Sequence, residues 1–149
     1  MTRKETIYNL FAKQLQQKIV QLNLVLLDLK NIAANETKST AGDKHETALA
    51  MVQIEQAKLR SQLQVLLNQQ EIIKKINPLI TPIKVVMGCL VNTNNGEYFI
   101  SAALGKVILN NNTIQAMSPM APLGALLLGL GVKDTFNFNK LQYTITSIN

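Results

Sequence analysis

The sequence predicts an α+β protein, a long antiparallel helical hairpin followed by a small β-rich domain with one short helix. Three observations lead there. Two long segments repeat apolar residues at helical spacing, a short polar stretch joins them, and two prolines then end the helical pattern ahead of several β-rich runs.

From Thr6 to Ile32 apolar residues fall at Ile7, Leu10, Phe11, Leu15, Ile19, Leu22, Leu26 and Leu29, in steps of three and four. That spacing draws one stripe along one long helix. The pattern resumes from Thr47 to Ile76 with Met51, Ile54, Leu59, Leu63, Leu66, Ile73 and Ile76, uninterrupted by proline or glycine. Helices of similar length on a short connection form an antiparallel pair, because neither stripe is stable exposed. Such a coiled-coil hairpin is about 45–50 Å long at about 1.5 Å per residue. Its outer faces are expected to carry Gln14, Gln16, Gln17, Gln21, Gln53, Gln56, Gln62, Gln64, Gln69 and Gln70. Small residues near the turn (Ala33, Ala34, Ala41, Gly42, Ala48, Ala50) predict a narrow far end.

Asn77-Pro78 and Thr81-Pro82 close the helical pattern, since each proline steers its predecessor out of the helical region. The expected domains are therefore 1–77 and 78–149. Strands are expected at Ile83–Val91, Glu97–Ala103, Lys106–Leu109, Thr135–Phe138 and Leu141–Ile148, with turns at Asn92–Gly96 and Asn110–Asn112. Between them Ser118-Pro119-Met120-Ala121-Pro122-Leu123-Gly124-Ala125-Leu126-Leu127-Leu128-Gly129 reads as a short buried helix closed by glycine.

The tip of the hairpin, residues 39–46, holds Asp43 and Glu46 beside Lys44 and the single histidine, His45. Asp43 followed three positions later by Glu46 has the spacing of a capping box, worth roughly 1 kcal/mol without any further role. A second reading starts from position. Two carboxylates at the end of a narrow rod deliver oxygen ligands into a deep site, and Mg²⁺ is often held by one or two carboxylates with water and phosphate completing its shell. Alone they make a weak site, so the metal is one shared with a partner. Lys38, Lys44 and His45 are the nucleic-acid contact candidates, each equally at home in solvent.

The charge balance of 15 Lys and Arg against 9 Asp and Glu gives +6, which favours an acidic partner or simply a solvated basic surface. Cys89 stands alone in the apolar run Val85–Val91, so no intramolecular disulfide forms, and a buried thiol in a reducing compartment is expected. The N-terminus lacks signal-peptide character, and Ala121–Val132 is much shorter than the roughly 20 residues of a membrane helix. A cytoplasmic protein that does not engage membranes is expected, and an intramolecular hairpin suits a monomer.

A long N-terminal hairpin with Gly42-Asp43-x-x-Glu46 at its turn, followed by a small β-rich domain, resembles the GreA/GreB family of bacterial transcript-cleavage factors. At the tip the glycine, both acids and Ala48 match G-D-L-S-E-N-A-E-Y, whereas Lys44, His45, Thr47, Leu49 and Ala50 depart. A more specific match is Ser118 to Gly129 with Val132 and Asp134, similar to S-P-x-S-P-L-G-x-A-L-L-G-x-x-V-G-D. Departures there are Ala121 for Ser, Leu126 for Ala and Lys133 for Gly, and the hairpin around Asn137–Lys140 is shortened. The closing Tyr143–Ile148 is similar to the family's final strand.

The resemblance, which spans about residues 5–148, implies an FKBP-like second domain that docks at the rim of the RNA polymerase secondary channel while the hairpin enters it. It implies docking residues among Ser118, Pro119, Pro122, Leu123 and Gly124. It also implies that Asp43 and Glu46 help the polymerase hold a second Mg²⁺, so that the polymerase cleaves the 3′ end of backtracked nascent RNA, as in two-metal phosphodiester hydrolysis. The chain itself is then an accessory factor without a tightly bound cofactor. Relatives that enter the same channel without promoting cleavage make a regulator or inhibitor the alternative.

Two other classes compete. A peptidyl-prolyl isomerase or chaperone needs an aromatic-lined pocket, for which the second domain offers Tyr98, Phe99, Phe136, Phe138 and Tyr143; Phe136 and Phe138 share a strand face and suit a core. A thiol enzyme would need Cys89 and His45, which fall in separate halves. A structural coiled-coil adaptor would use the tip only as a cap.

Overall fold

The computed structural model describes residues 1–37 and 43–149, with side chains described for residues 1–35 and 46–149. Helices α1 (Arg3–Thr37) and α2 (Asp43–Lys74) form the expected hairpin, and strands β1 (Leu90–Thr93), β2 (Gly96–Ile100), β3 (Gly105–Leu109), β4 (Asn112–Met117), β5 (Thr135–Phe138) and β6 (Leu141–Ile148) follow, with α3 (Pro122–Leu127) between β4 and β5. The α+β class is as the sequence predicts. Packing divides the chain into a unit of Leu15–Asn68 and a unit of Met1–Gln14 with Gln69–Asn149. The ends of both long helices thus belong to the same unit as the sheet.

Within the Leu15–Asn68 unit, Leu15 and Ile19 are buried on α1, with Leu22, Leu26 and Leu29 half-buried behind them. On α2 the stripe differs from the expected one. Met51 and Ile54 are 66% and 70% exposed, and their places are taken by half-buried Leu49 and Val52 and buried Gln56. The reason is period. Leu49, Val52, Gln56, Leu59, Leu63 and Leu66 alternate steps of three and four, the spacing that keeps a seam facing a partner helix, whereas Met51 and Ile54 reach Leu59 only through a step of five. Gln56 is accordingly not an outer-face residue. Polar side chains on such a seam lower stability and narrow the choice of register.

In the other unit the strand order is β3-β4-β2-β1-β6-β5, with β3 and β5 outermost. All neighbours are antiparallel except β2 and β4, which pair in parallel from Glu97↔Ile114 to Ile100↔Met117. Two-residue turns make the hairpins. Asn110 and Asn111 (φ 51° and 66°) join β3 to β4, and Asn139 and Lys140 (φ 50° and 66°) join β5 to β6. Paired left-handed residues match the twist of the flanking strands, and asparagine tolerates that conformation better than most side chains. The Asn94-Asn95 turn between β1 and β2 is tied down, since both amide side chains donate to the Gln142 carbonyl, at 3.1 and 2.9 Å.

One sheet face packs Val91, Tyr98, Ile100, Tyr143, Ile145 and Ile148 with Val85, Cys89, Met117 and Leu127 into a core. The helix ends cover other sheet residues. Phe11 stacks on Phe99 with centroids 5.6 Å apart, both rings fully buried, and Tyr8 meets Phe99 edge-on at 6.4 Å. Each buried Phe stabilises by about 1.5–3 kcal/mol through area alone. The Tyr8 hydroxyl donates to the Ile73 carbonyl at 2.9 Å, joining the two helix ends, and Arg3 makes a two-armed ion pair with Glu97.

Two expectations for this region change. Ile83–Val91 is not one strand: Val85 donates to Leu130 and accepts from Gly129, Lys84 bridges Gly131, and the chain then turns at Gly88 (φ 90°) so that only Leu90 onward joins the sheet. A side chain at Gly88 would meet Ile76 at 3.0 Å, so the turn needs glycine for space as well as conformation. β4 lies in Asn112–Met117, where no strand is expected, because its polar Asn, Thr and Gln dilute the alternation, although Ile114 and Ala116 are buried on one sheet face and Met117 on the other.

Candidate functional site

The hairpin tip carries the sequence-derived metal ligands. Glu46 lies in the first turn of α2 and is exposed. Asp43 is the first residue of α2, but its side chain and those of Lys44 and His45 lie outside the described residues, as does Lys38 altogether. The capping box and the acidic pair therefore rest on sequence at Asp43 and on an exposed carboxylate at Glu46. Leu49, one helical turn on, is half-buried on the seam. A hydrophobic residue there serves hairpin packing, not the polar tip surface.

A carboxylate is the right donor for a hard cation such as Mg²⁺. Among the described residues no cluster of three or more His, Cys, Asp or Glu side chains could hold a metal ion.

The Ser118–Gly129 segment is built around backbone contacts. The Ser118 hydroxyl accepts the Met120 amide at 3.1 Å, and its carbonyl accepts the Ala121 amide at 3.1 Å. Gly124 fits because a Cβ there would lie 2.2 Å from the Ser118 carbonyl oxygen, a collision no side chain escapes. Pro122 occupies the first turn of α3, where a missing N–H costs nothing, and Gly129 (φ 85°) follows its C-terminus. Ala121 is the N-cap and provides no side-chain bond, since alanine has no acceptor to offer the first-turn amides.

Of the docking candidates, Gly124 is buried, Ser118, Pro119 and Leu123 are half-buried, and Pro122 is exposed. Ser118 and Gly124 meet as a structural pair. The more open apolar side chains nearby are Met120, 90% exposed and expected in a buried helix, and Ile83, 88% exposed and expected in a strand. Only the failure of Ile83–Val91 to form one strand exposes Ile83.

The competing chemistries find little. Cys89 is fully buried, and burial raises its thiol pKa, which opposes thiolate formation. The aromatics of the second domain are packed: Phe136 stacks on Tyr143 at 5.1 Å, Phe138 meets the same ring at 6.4 Å, and Phe99 is taken by Phe11. Burial, reinforced by Tyr143, pushes the Tyr98 phenol up to about 12. The cavities beside Lys4 and beside Glu97 are lined by no aromatic side chain. No helix among the described residues is long and apolar enough to cross a membrane.

No sequence-family model matches the chain. No curated protein matches it in sequence. Among solved structures, that of the transcription factor Gfh1 is similar, with 16% sequence identity, 92% of each chain covered and a TM-score of 0.36.

Proposed function

We propose that this protein is a transcription factor that binds bacterial RNA polymerase, inserts its helical hairpin into the secondary channel and stimulates cleavage of backtracked RNA. The carrying observation is a hairpin of 35- and 32-residue helices with Gly42-Asp43-x-x-Glu46 at the joint and the Glu46 carboxylate exposed. The Ser118–Gly129 run, whose glycine and prolines have the structural uses described above, supports the same family resemblance through the other half of the chain.

In this reading Asp43 and Glu46 supply carboxylate oxygens to an Mg²⁺ ion held jointly with the polymerase. Such an ion, held there, would supply activation of water or stabilisation of the leaving oxygen in phosphodiester hydrolysis. The two acids position and hold, and the polymerase performs the bond cleavage; the protein is not itself an enzyme. Lys38, Lys44 and His45 would face the RNA 3′ end, and the residues around Pro122 and Leu123 would dock on the channel rim. An Asp43 oxygen used as a helix cap is not offered to the ion in the same geometry, so the two uses exclude one another.

A second reading, a channel-binding regulator that does not stimulate cleavage, is favoured by Leu49. The family's acid at that position is replaced by a half-buried seam residue, which leaves fewer oxygen donors at the tip. Stalled, backtracked elongation complexes distinguish the two. Wild-type protein with Mg²⁺ is expected to shorten the RNA, and Asp43→Ala/Glu46→Ala to bind without shortening it. Competition with a known channel occupant in the absence of cleavage supports the regulator, and failure of both overturns polymerase-channel binding itself.

A further inference from the structure

We infer that the cavity beside Lys4 is a binding site for a small carboxylate with a short apolar tail. Lys4, in the first turn of α1, is 6% exposed, and its ammonium donates to the Ile80 carbonyl at 2.6 Å. That bond uses one of three N–H donors. Among the described residues no carboxylate pairs with it, while the neighbouring Arg3 is already committed to Glu97. Burial lowers the Lys4 pKa, with the Cys89 side chain partly opposing the shift. A buried ammonium with one neutral acceptor is costly to keep charged, and an anion beside it offsets that cost.

The surroundings specify the rest of the ligand. A cavity of about 380 Å³ opens beside Lys4 and is walled by Ile72, Ile76, Ile80, Val86 and Met87, with Lys75 as a second cation and no acidic residue in its lining. Its size falls within the range of small-molecule sites, and mostly apolar walls with a few fixed polar groups are the usual composition of such sites. Lys4 at the buried side takes the carboxylate, Lys75 adds attraction, and the isoleucine and methionine side chains take the tail. Strongly polar anions suit the cavity less well, because apart from the two lysines and the Asn77 amide its lining side chains are apolar.

Octanoate, octanol and octylammonium, titrated into the intact protein and followed by amide chemical shifts, test the inference. Octanoate is expected to bind, to move the Met87 and Gly88 resonances, and to bind more tightly than either equal-length analogue. Lys4→Met keeps an unbranched apolar side chain and should weaken octanoate binding by about tenfold or more, the value of a charge-assisted hydrogen bond. Equal binding of the three ligands to wild type overturns the site, as does an absence of octanoate binding, whether or not the Lys4→Met variant folds. Unchanged octanoate affinity in folded Lys4→Met overturns the role of Lys4.

Discussion

Lys133 carries a backbone conformation that suits another residue. Its φ is 76°, its amide donates to the Ile145 carbonyl at 2.8 Å, and the flanking turn is closed by the Gly131 amide on the Asp134 carboxylate at 2.7 Å. The bonds on either side hold the residue left-handed, a conformation that costs a non-glycine residue about 1–2 kcal/mol. Lys133→Gly is therefore expected to stabilise the protein by about 1 kcal/mol, less the extra entropy of a glycine in the unfolded chain. Chemical denaturation checks it: the midpoint should rise with an unchanged slope. A fall in the midpoint would mean that the lysine side chain contributes more than its backbone costs.

At the scale of elements, Gln56 is the informative position. It is 9% exposed on a seam otherwise lined by Leu49, Val52, Leu59, Leu63 and Leu66. Gln56→Leu is expected to stabilise the hairpin by about 1 kcal/mol through added apolar burial, raising the melting temperature by a few degrees. The same change should loosen register, seen as association in light scattering, because a polar seam residue discriminates among pairings. A lower melting temperature would show that Gln56 is held by bonds worth more than the leucine it excludes.

The elements also show what the sequence makes readable. Long helices follow from periodicity summed over many residues, so α1 was legible along its stripe, and β5 and β6 match their predicted spans because β-branched and aromatic residues dominate them. The register of the first half of α2 was not legible. Met51 and Ile54 are apolar, as are Leu49 and Val52, and hydrophobicity alone does not choose between the two faces; the partner helix does. The bend at Gly88 was likewise hidden, since an unbroken apolar run has no period by which to reveal a turn. At the site, the acids and the Ser118–Gly129 run stand out as patterns, whereas the buried Lys4 does not, because nothing local marks a lysine that tertiary contacts will cover.

For the molecule as a whole, the division seen in packing and the division seen in composition fall at different points. Composition changes at Asn77-Pro78, yet Phe11 lies on Phe99 and Tyr8 bonds Ile73 within one packed unit. A fragment of residues 78–149 loses Ile7, Phe11 and Ile73 as cover. Their burial is worth several kcal/mol, comparable with the 5–15 kcal/mol of net stability typical of a domain. The fragment is expected to melt at least 10 °C below the full chain, or to be unfolded, by near-ultraviolet dichroism and amide dispersion; each kcal/mol shifts a domain of this size by about 4–8 °C. An equal melting temperature would show that the sheet needs no helical cover.

The outermost positions of β3 and β5 bear on how the protein behaves in a crowded solution. Every open sheet presents two rims of unpaired backbone groups, which invite strands from other copies. Here one rim is five residues long, starts at a left-handed glycine and carries exposed Lys106, and the other is four residues long. Short rims, one of them carrying a lysine, are poor templates for strand addition, so the fold limits fibrillar self-assembly at the very places where it leaves hydrogen bonds open.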